Sequence, residues 1–195
     1  MSTHPARIGR AAALVAVLML SGGAAARASG IAPFGGHMSV GYGQLLISSA
    51  PGGSVSFSGG VDYPVVPSLR FGVDVGYDLL GSNSVDRGSL SATVSYSAFE
   101  LVAFAHWLPT HLGPLHRVSV GPMLMAAHGD LSAAAGGAGF SDLAVSDTAP
   151  GAALELTAMS GKPSPVRVGL QLGGRMGFVQ GENWTILSAR LSLLY

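Results

Sequence analysis

The chain has 195 residues, a size that suggests one domain. Charged side chains make up 10% against about a quarter in ordinary soluble domains, glycine reaches 29 residues, and mean hydropathy is positive, which points away from a cytosolic globule. The formal charge is zero without a basic cluster, so nucleic acid is not an expected partner; the absence of cysteine removes disulfides, thiolate metal sites and a lipoprotein anchor.

Residues 1–28 have their own organisation. Arg7 and Arg10 precede the apolar run Ala11 to Leu20, and small residues follow up to Ala26-Arg27-Ala28. A basic start, a short apolar run and an A-x-A-like site predict a secretory signal peptide. The run is about half of the ~20 residues a membrane-spanning helix needs. Cleavage after Ala28 leaves 29–195 as a single domain of 167 residues, with seven basic and ten acidic side chains.

From Gly36 onward the dominant signal is alternation. Leu69, Phe71, Val73, Val75, Tyr77 and Leu79 are separated by Arg70, Gly72, Asp74, Gly76 and Asp78, a period of two. Val166 to Phe178 repeats it, with Arg167, Gly169, Gln171, Gly173, Arg175 and Gly177 on the polar side. A helix would scatter these charges around its circumference, whereas a strand collects them on one face. Weaker copies predict eight strands in all, near 37–48, 53–63, 68–80, 92–108, 115–128, 150–160, 165–178 and 184–195. Strands two, four and six end in tight Pro-bearing links, and the others in Gly-, Ser- and Asp-rich segments, of which the longest, 128–149, is expected to be a mobile loop. Short turns at one end and longer loops at the other suit an outer-membrane barrel.

The charges decide between inside and outside. Asp62, Arg70, Asp74, Asp78, Glu100, Arg117, Glu155, Arg167, Arg175 and Arg190 all fall opposite the apolar face of their strands, five acids against five bases. The remaining mature-chain charges, Asp86, Arg87, Asp130, Asp142, Asp147, Lys162 and Glu182, are assigned to loops or turns. An Arg or Lys facing lipid at the bilayer midplane costs about 2–4 kcal/mol, and none is placed there. A soluble sandwich would cover its outer face with a dense mix of charges, which this chain lacks. Tyr63, Trp107 and Tyr195 at one set of strand ends, with Tyr77 and Phe178 at the other, match the aromatic girdles of membrane barrels.

The last strand carries the most specific motif. Thr185, Leu187, Ala189, Leu191, Leu193 and Tyr195 alternate with Ile186, Ser188, Arg190, Ser192 and Leu194, and the final residue is aromatic. This resembles the C-terminal β-signal of bacterial outer-membrane proteins. With the eight strands and the N-terminal segment, the chain resembles over its full mature length the small eight-stranded outer-membrane β-barrels of the OmpA/OmpX kind. The resemblance implies an all-β, antiparallel, up-and-down transmembrane barrel in the bacterial outer membrane, monomeric, with lipid around it. It also implies that Leu187, Leu191, Leu193 and Tyr195 are read by the barrel-assembly machinery. An eight-stranded barrel is only wide enough for side chains to fill it, so the five arginines and five acids should bridge one another inside, with inward Gly72, Gly76, Gly169, Gly173 and Gly177 making room.

Other constellations are weaker. His37-Met38-Ser39 resembles the His-x-Ser motif of lipid A deacylase barrels, but that family carries it near the end of the barrel with a carboxylate following, whereas here it opens the first strand. His106, His111, His116 and His128 have no metal-ligand spacing. Asp74 and Asp78, at i and i+4 on one strand, lie about 13 Å apart by strand rise, too far for a coupled acid/base dyad with Glu100. Met123, Met125, Val102 and Phe104 point inward, either lining an apolar pocket or filling the lumen. The expected role is structural or surface interaction in the cell envelope around a filled lumen, with a narrow conduit for ions or a small apolar solute as the alternative. No cofactor, metal or enzymatic activity is expected.

Overall fold

A computed structural model describes residues 34–46, 52–109, 112, 114–135, 138–139, 143–159 and 166–195. The expected signal peptide, residues 1–28, lies outside the described residues, as do His111, Asp142, Lys162 and the whole 161–165 link.

Among the described residues the fold is all β. Eight long strands run β1 (Gly35–Leu46), β2 (Gly52–Val66), β3 (Leu69–Arg87), β4 (Leu90–Trp107), β5 (Leu115–Ala135), β7 (Leu143–Met159), β8 (Arg167–Val179) and β9 (Glu182–Leu194). The two-residue β6 (Ala138–Gly139) pairs with the tip of β5. Each long strand pairs antiparallel with its sequence neighbour, and β9 returns to β1, with Val40 opposite Leu191 and Ser39 opposite Ser192. The sheet therefore closes as an up-and-down barrel without a free edge, the arrangement that satisfies every backbone group of a chain surrounded by lipid.

Alternation puts the apolar residues outside. Val40, Val61, Phe71, Val73, Phe99, Leu101, Val120, Leu154, Leu170, Leu191 and Leu193 all present large exposed side chains, while Asp74, Asp78, Glu100, Glu155, Arg175 and Arg190 are at most 1% exposed. A water-soluble protein has this distribution the other way round. The aromatic residues Tyr63, Trp107 and Phe178 stand on the outer surface at strand ends.

The strand ends differ from the sequence reading. Segments 81–91 and 128–149 were expected to be loops, yet β3 and β4 stay paired up to Arg87 opposite Leu90, and β5 and β7 up to Leu131 opposite Leu143. Backbone hydrogen bonds continue the ladder where the side chains have become Ser, Ala and Gly and the two-residue alternation has faded. Asp86, Arg87, Asp130, Asp147 and Glu182 accordingly sit in strands rather than loops. A barrel strand crosses the bilayer with about 9–11 residues, so 19 residues in β3 and 21 in β5 overshoot it. The 12 and 13 residues of β1, β8 and β9 do not overshoot by nearly as much, and the β3–β7 side forms a raised wall.

The β8–β9 hairpin turns on two residues with left-handed backbone, Gln180 at φ 48° and Gly181 at φ 81°. Positive φ at both central positions is the primed geometry whose twist suits a two-residue hairpin. Asp147 on β7 supports it, its Oδ2 accepting from the Gln180 amide at 2.9 Å and its Oδ1 from the Thr148 amide at 2.8 Å.

Candidate functional site: the filled lumen and its two mouths

Reading the inward positions along the strands gives four levels. At the raised end lies an apolar plug of Leu45, Leu80, Ala98, Met125, Ala127, Val179, Trp184 and Ile186, with Tyr96 against Trp184 edge to face at 5.8 Å. Met123, Val102 and Phe104 continue it on the β4–β5 side, each at most 3% exposed, so these residues fill space rather than line an empty channel.

Below the plug is an ionic cluster. Arg175 reaches Glu100 through Nη1, Glu155 Oε1 through Nη2 at 2.6 Å, and Asp78 Oδ2 at 3.4 Å. Arg190 Nη2 shares Glu155 Oε1 at 2.6 Å, and Gln171 donates to the other oxygen of the same carboxylate. The arginines come from β8 and β9 and the acids from β3, β4 and β7, so the guanidiniums span the bore. Gly76 lies where a Cβ would come within 2.8 Å of Glu100 Oε2 and 3.1 Å of Arg175 Nη1. Gly173 likewise leaves space beside Arg190 and Gly177 beside Met125.

Towards the other end the residues become mixed. His37 Nε2 is 2.9 Å from Asp74 Oδ2, and its Nδ1 faces Arg117 Nη1 at 3.4 Å. A guanidinium only donates, so Nδ1 is the acceptor and Nε2 carries the proton given to Asp74. His106 Nδ1 bonds Ser119 Oγ at 2.7 Å, and its ring meets that of His37 edge on. Ser39 bonds Ser58 at 2.6 Å rather than His37, so the His-x-Ser pair of the sequence is split between two partners. Asp74 and Asp78 belong to different clusters.

At the mouth itself Arg70 pairs with Asp62, and Arg117 stands 3.6 Å from the same carboxylate. Arg167 departs from the expected bridging: its contact among the described residues is His116, at 3.3 and 3.5 Å, not an acid. It is the first residue of β8, and the residue opposite it on β9 is Leu194. Of the ten charged positions singled out in the sequence, eight are buried in the interior, while Arg70 and Arg167 are half-buried at the mouth. Gln171, which the sequence placed on the polar face of its strand, joins them, as do His37, His106 and Ser119, to which the sequence reading gave no lumenal role. Their strand parity is the same as that of the charges, so extending the face assignment to uncharged polar residues would have found them. Leu187, Leu191 and Leu193 face outward from β9, at the seam where the barrel closes, and Tyr195 lies over Gly36.

The sequence matches no protein-family model and no curated protein. Solved structures do match. Ail, the attachment invasion locus protein of Yersinia pestis, superposes with a TM-score of 0.54 at 12% identity, over 83% of this chain and 98% of that one. Neisserial surface protein A gives a TM-score of 0.54 at 16% identity, over 82% of this chain and 95% of that one. The fold is that of the small eight-stranded outer-membrane β-barrels. At such identities the likeness extends to the fold alone, and the side chains inside this outer-membrane barrel fold are its own.

The raised end of the barrel holds a concavity of about 440 Å³. Val94, Tyr96, Leu131, Leu143 and Val145 form its wall, and Asp147, Gln180, Glu182 and Trp184 its floor and opposite rim. It is the space between the tall β4–β7 side and the low β8–β9 turn.

Proposed function

We propose that this chain is an outer-membrane protein whose barrel is closed to solutes and whose working surface is the raised external wall of β3, β4, β5 and β7, in a structural or surface-interaction role in the cell envelope. The observation that carries the reading is the filling of the bore: Arg175, Arg190, Glu100, Glu155, Phe104, Leu45, Leu80, Met125 and Ile186 are all under 2% exposed. A plugged cylinder cannot spend its interior on transport, which leaves its outer end and its lipid-facing wall to act. In this reading residues 1–28 export the chain, the barrel-assembly machinery reads the terminal strand, and the protein stands in the bilayer as a monomer. In this reading it has no enzymatic role, and the separate hydrogen-bond partners of His37 and Ser39 inside the lumen speak against their acting as a nucleophile pair.

Two measurements test it. Planar-bilayer recordings of the folded barrel are expected to show no steady conductance steps, and reproducible steps would instead support the conduit. The chain has no cysteine, so single introduced thiols report topology. Ser84→Cys on the raised wall is expected to react with a membrane-impermeant maleimide on intact cells, and Ser68→Cys in the β2–β3 turn only after the outer membrane is permeabilised. The opposite pattern would reject the orientation, and equal labelling without permeabilisation would reject the location.

A further inference from the structure

We propose that the mouth at the short-turn end of the barrel is a binding site for a small oxyanion of the phosphate class. A cavity of about 150 Å³ opens there, and the charged side chains lining it are Arg70, Arg117, Arg167 and Asp62, with His116 beside them. Arg70 is engaged by Asp62, so the donors that matter here are those of Arg117 and Arg167. Asp74, on the level above, is engaged by His37.

Two arginines of this mouth, Arg117 and Arg167, have donors without acceptors among the described residues. The Arg117 side chain is 2% exposed, and its Nε and Nη2 have no hydrogen-bond partner among the described residues; the same holds for Arg167 Nε. Native proteins seldom leave buried donors unpaired, and a bound ion or water is one way such donors are satisfied. Water would supply acceptors but no charge. An oxyanion supplies both, because its oxygens match the fork of N–H groups that each guanidinium presents. The space suits this, since about 150 Å³ is well above the ~10–15 Å³ that a cavity needs to hold a single water. Gly35 leaves room for the Asp62–Arg70 pair at the edge of the cavity, where a Cβ would come within 2.7 Å of Asp62 Oδ1 and 2.8 Å of Arg70 Nη2.

The oxyanion has two sources, free phosphate or a lipid headgroup, and the test separates them. The folded barrel in non-ionic detergent is titrated with inorganic phosphate at constant ionic strength, chloride being exchanged for phosphate, and the thermal midpoint is followed. A second titration uses dihexanoyl phosphatidate below its micelle concentration. A saturable rise with phosphate supports a free-anion site, and a rise with the short-chain lipid alone supports a headgroup site. Arg167→Gln, at the rim, is expected to weaken either response at least tenfold. No saturable response to both probes, or an undiminished response in Arg167→Gln, overturns the site. Should that variant not fold, the phosphorus NMR line of phosphate mixed with the unaltered barrel decides: broadening reversed by sulfate but not chloride supports the site, and an unbroadened line overturns it.

Discussion

Arg175 Nη2 donates to Glu155 Oε1 at 2.6 Å between β8 and β7, and both side chains are sealed from solvent. Charges so placed are costly to remove from water and costlier to leave alone. Arg175→Met would leave Asp78, Glu100 and Glu155 facing one another, with Arg190 in contact with Glu155 among the described residues. Loss of one partner of a buried pair destabilises by about 3–5 kcal/mol. Urea unfolding of the variant in lipid vesicles is expected to show a loss of that size, larger than for Arg70→Met at the half-buried mouth. Equal losses would mean the central cluster has no special weight.

Gly76 and Gly174 make a matched pair. A Cβ on Gly76 meets the Glu100–Arg175 bridge at 2.8 and 3.1 Å, whereas one on Gly174 meets Leu187 Cδ2 at an ordinary 3.6 Å. Overfilling a packed interior costs about 1–3 kcal/mol. Gly76→Ala is therefore expected to lower stability by that amount and Gly174→Ala to be neutral or slightly stabilising, as judged from unfolding midpoints.

The lipid-facing wall is tested by depth. Val73 and Val85 lie on β3 and are 50% and 61% exposed. Val73 falls within the membrane-crossing part and Val85 on the overshoot. Val73→Arg is expected to cost about 2–4 kcal/mol in bilayer-reconstituted barrel, and Val85→Arg close to nothing. Similar costs at both positions would contradict an apolar belt limited to the lower part of β3.

Asp147 fastens the β8–β9 turn through the Gln180 amide at 2.9 Å. Asp147→Ala removes the acceptor at a solvent-facing position, where one hydrogen bond is worth about 1 kcal/mol or less. Hydrogen exchange at the Gln180 amide is expected to quicken several-fold, with the barrel's unfolding midpoint little changed. Gln180→Gly, which suits the φ of 48° without strain, is expected to be tolerated or mildly stabilising.

Sequence alone determined the strand count and the face of the charged residues on the regular strands, because a period of two is a local property of extended backbone, and the resemblance to small outer-membrane barrels implied the up-and-down order. Leu69 to Leu79 and Val166 to Phe178 carried that information without any knowledge of their neighbours. The heights of the strands were invisible: where Ser, Ala and Gly replace the alternating residues in 81–91 and 128–149, only pairing with the partner strand shows that the ladder goes on. Partnership inside the bore was likewise out of reach. Arg175 and Glu100 are 75 residues apart, and which arginine meets which acid depends on register and on the curvature that closes β9 onto β1. The fork of Arg175 across three acids, the His37–Asp74 contact and the unpaired donors of Arg117 exist only once eight strands bring distant side chains to the same level of one narrow cylinder.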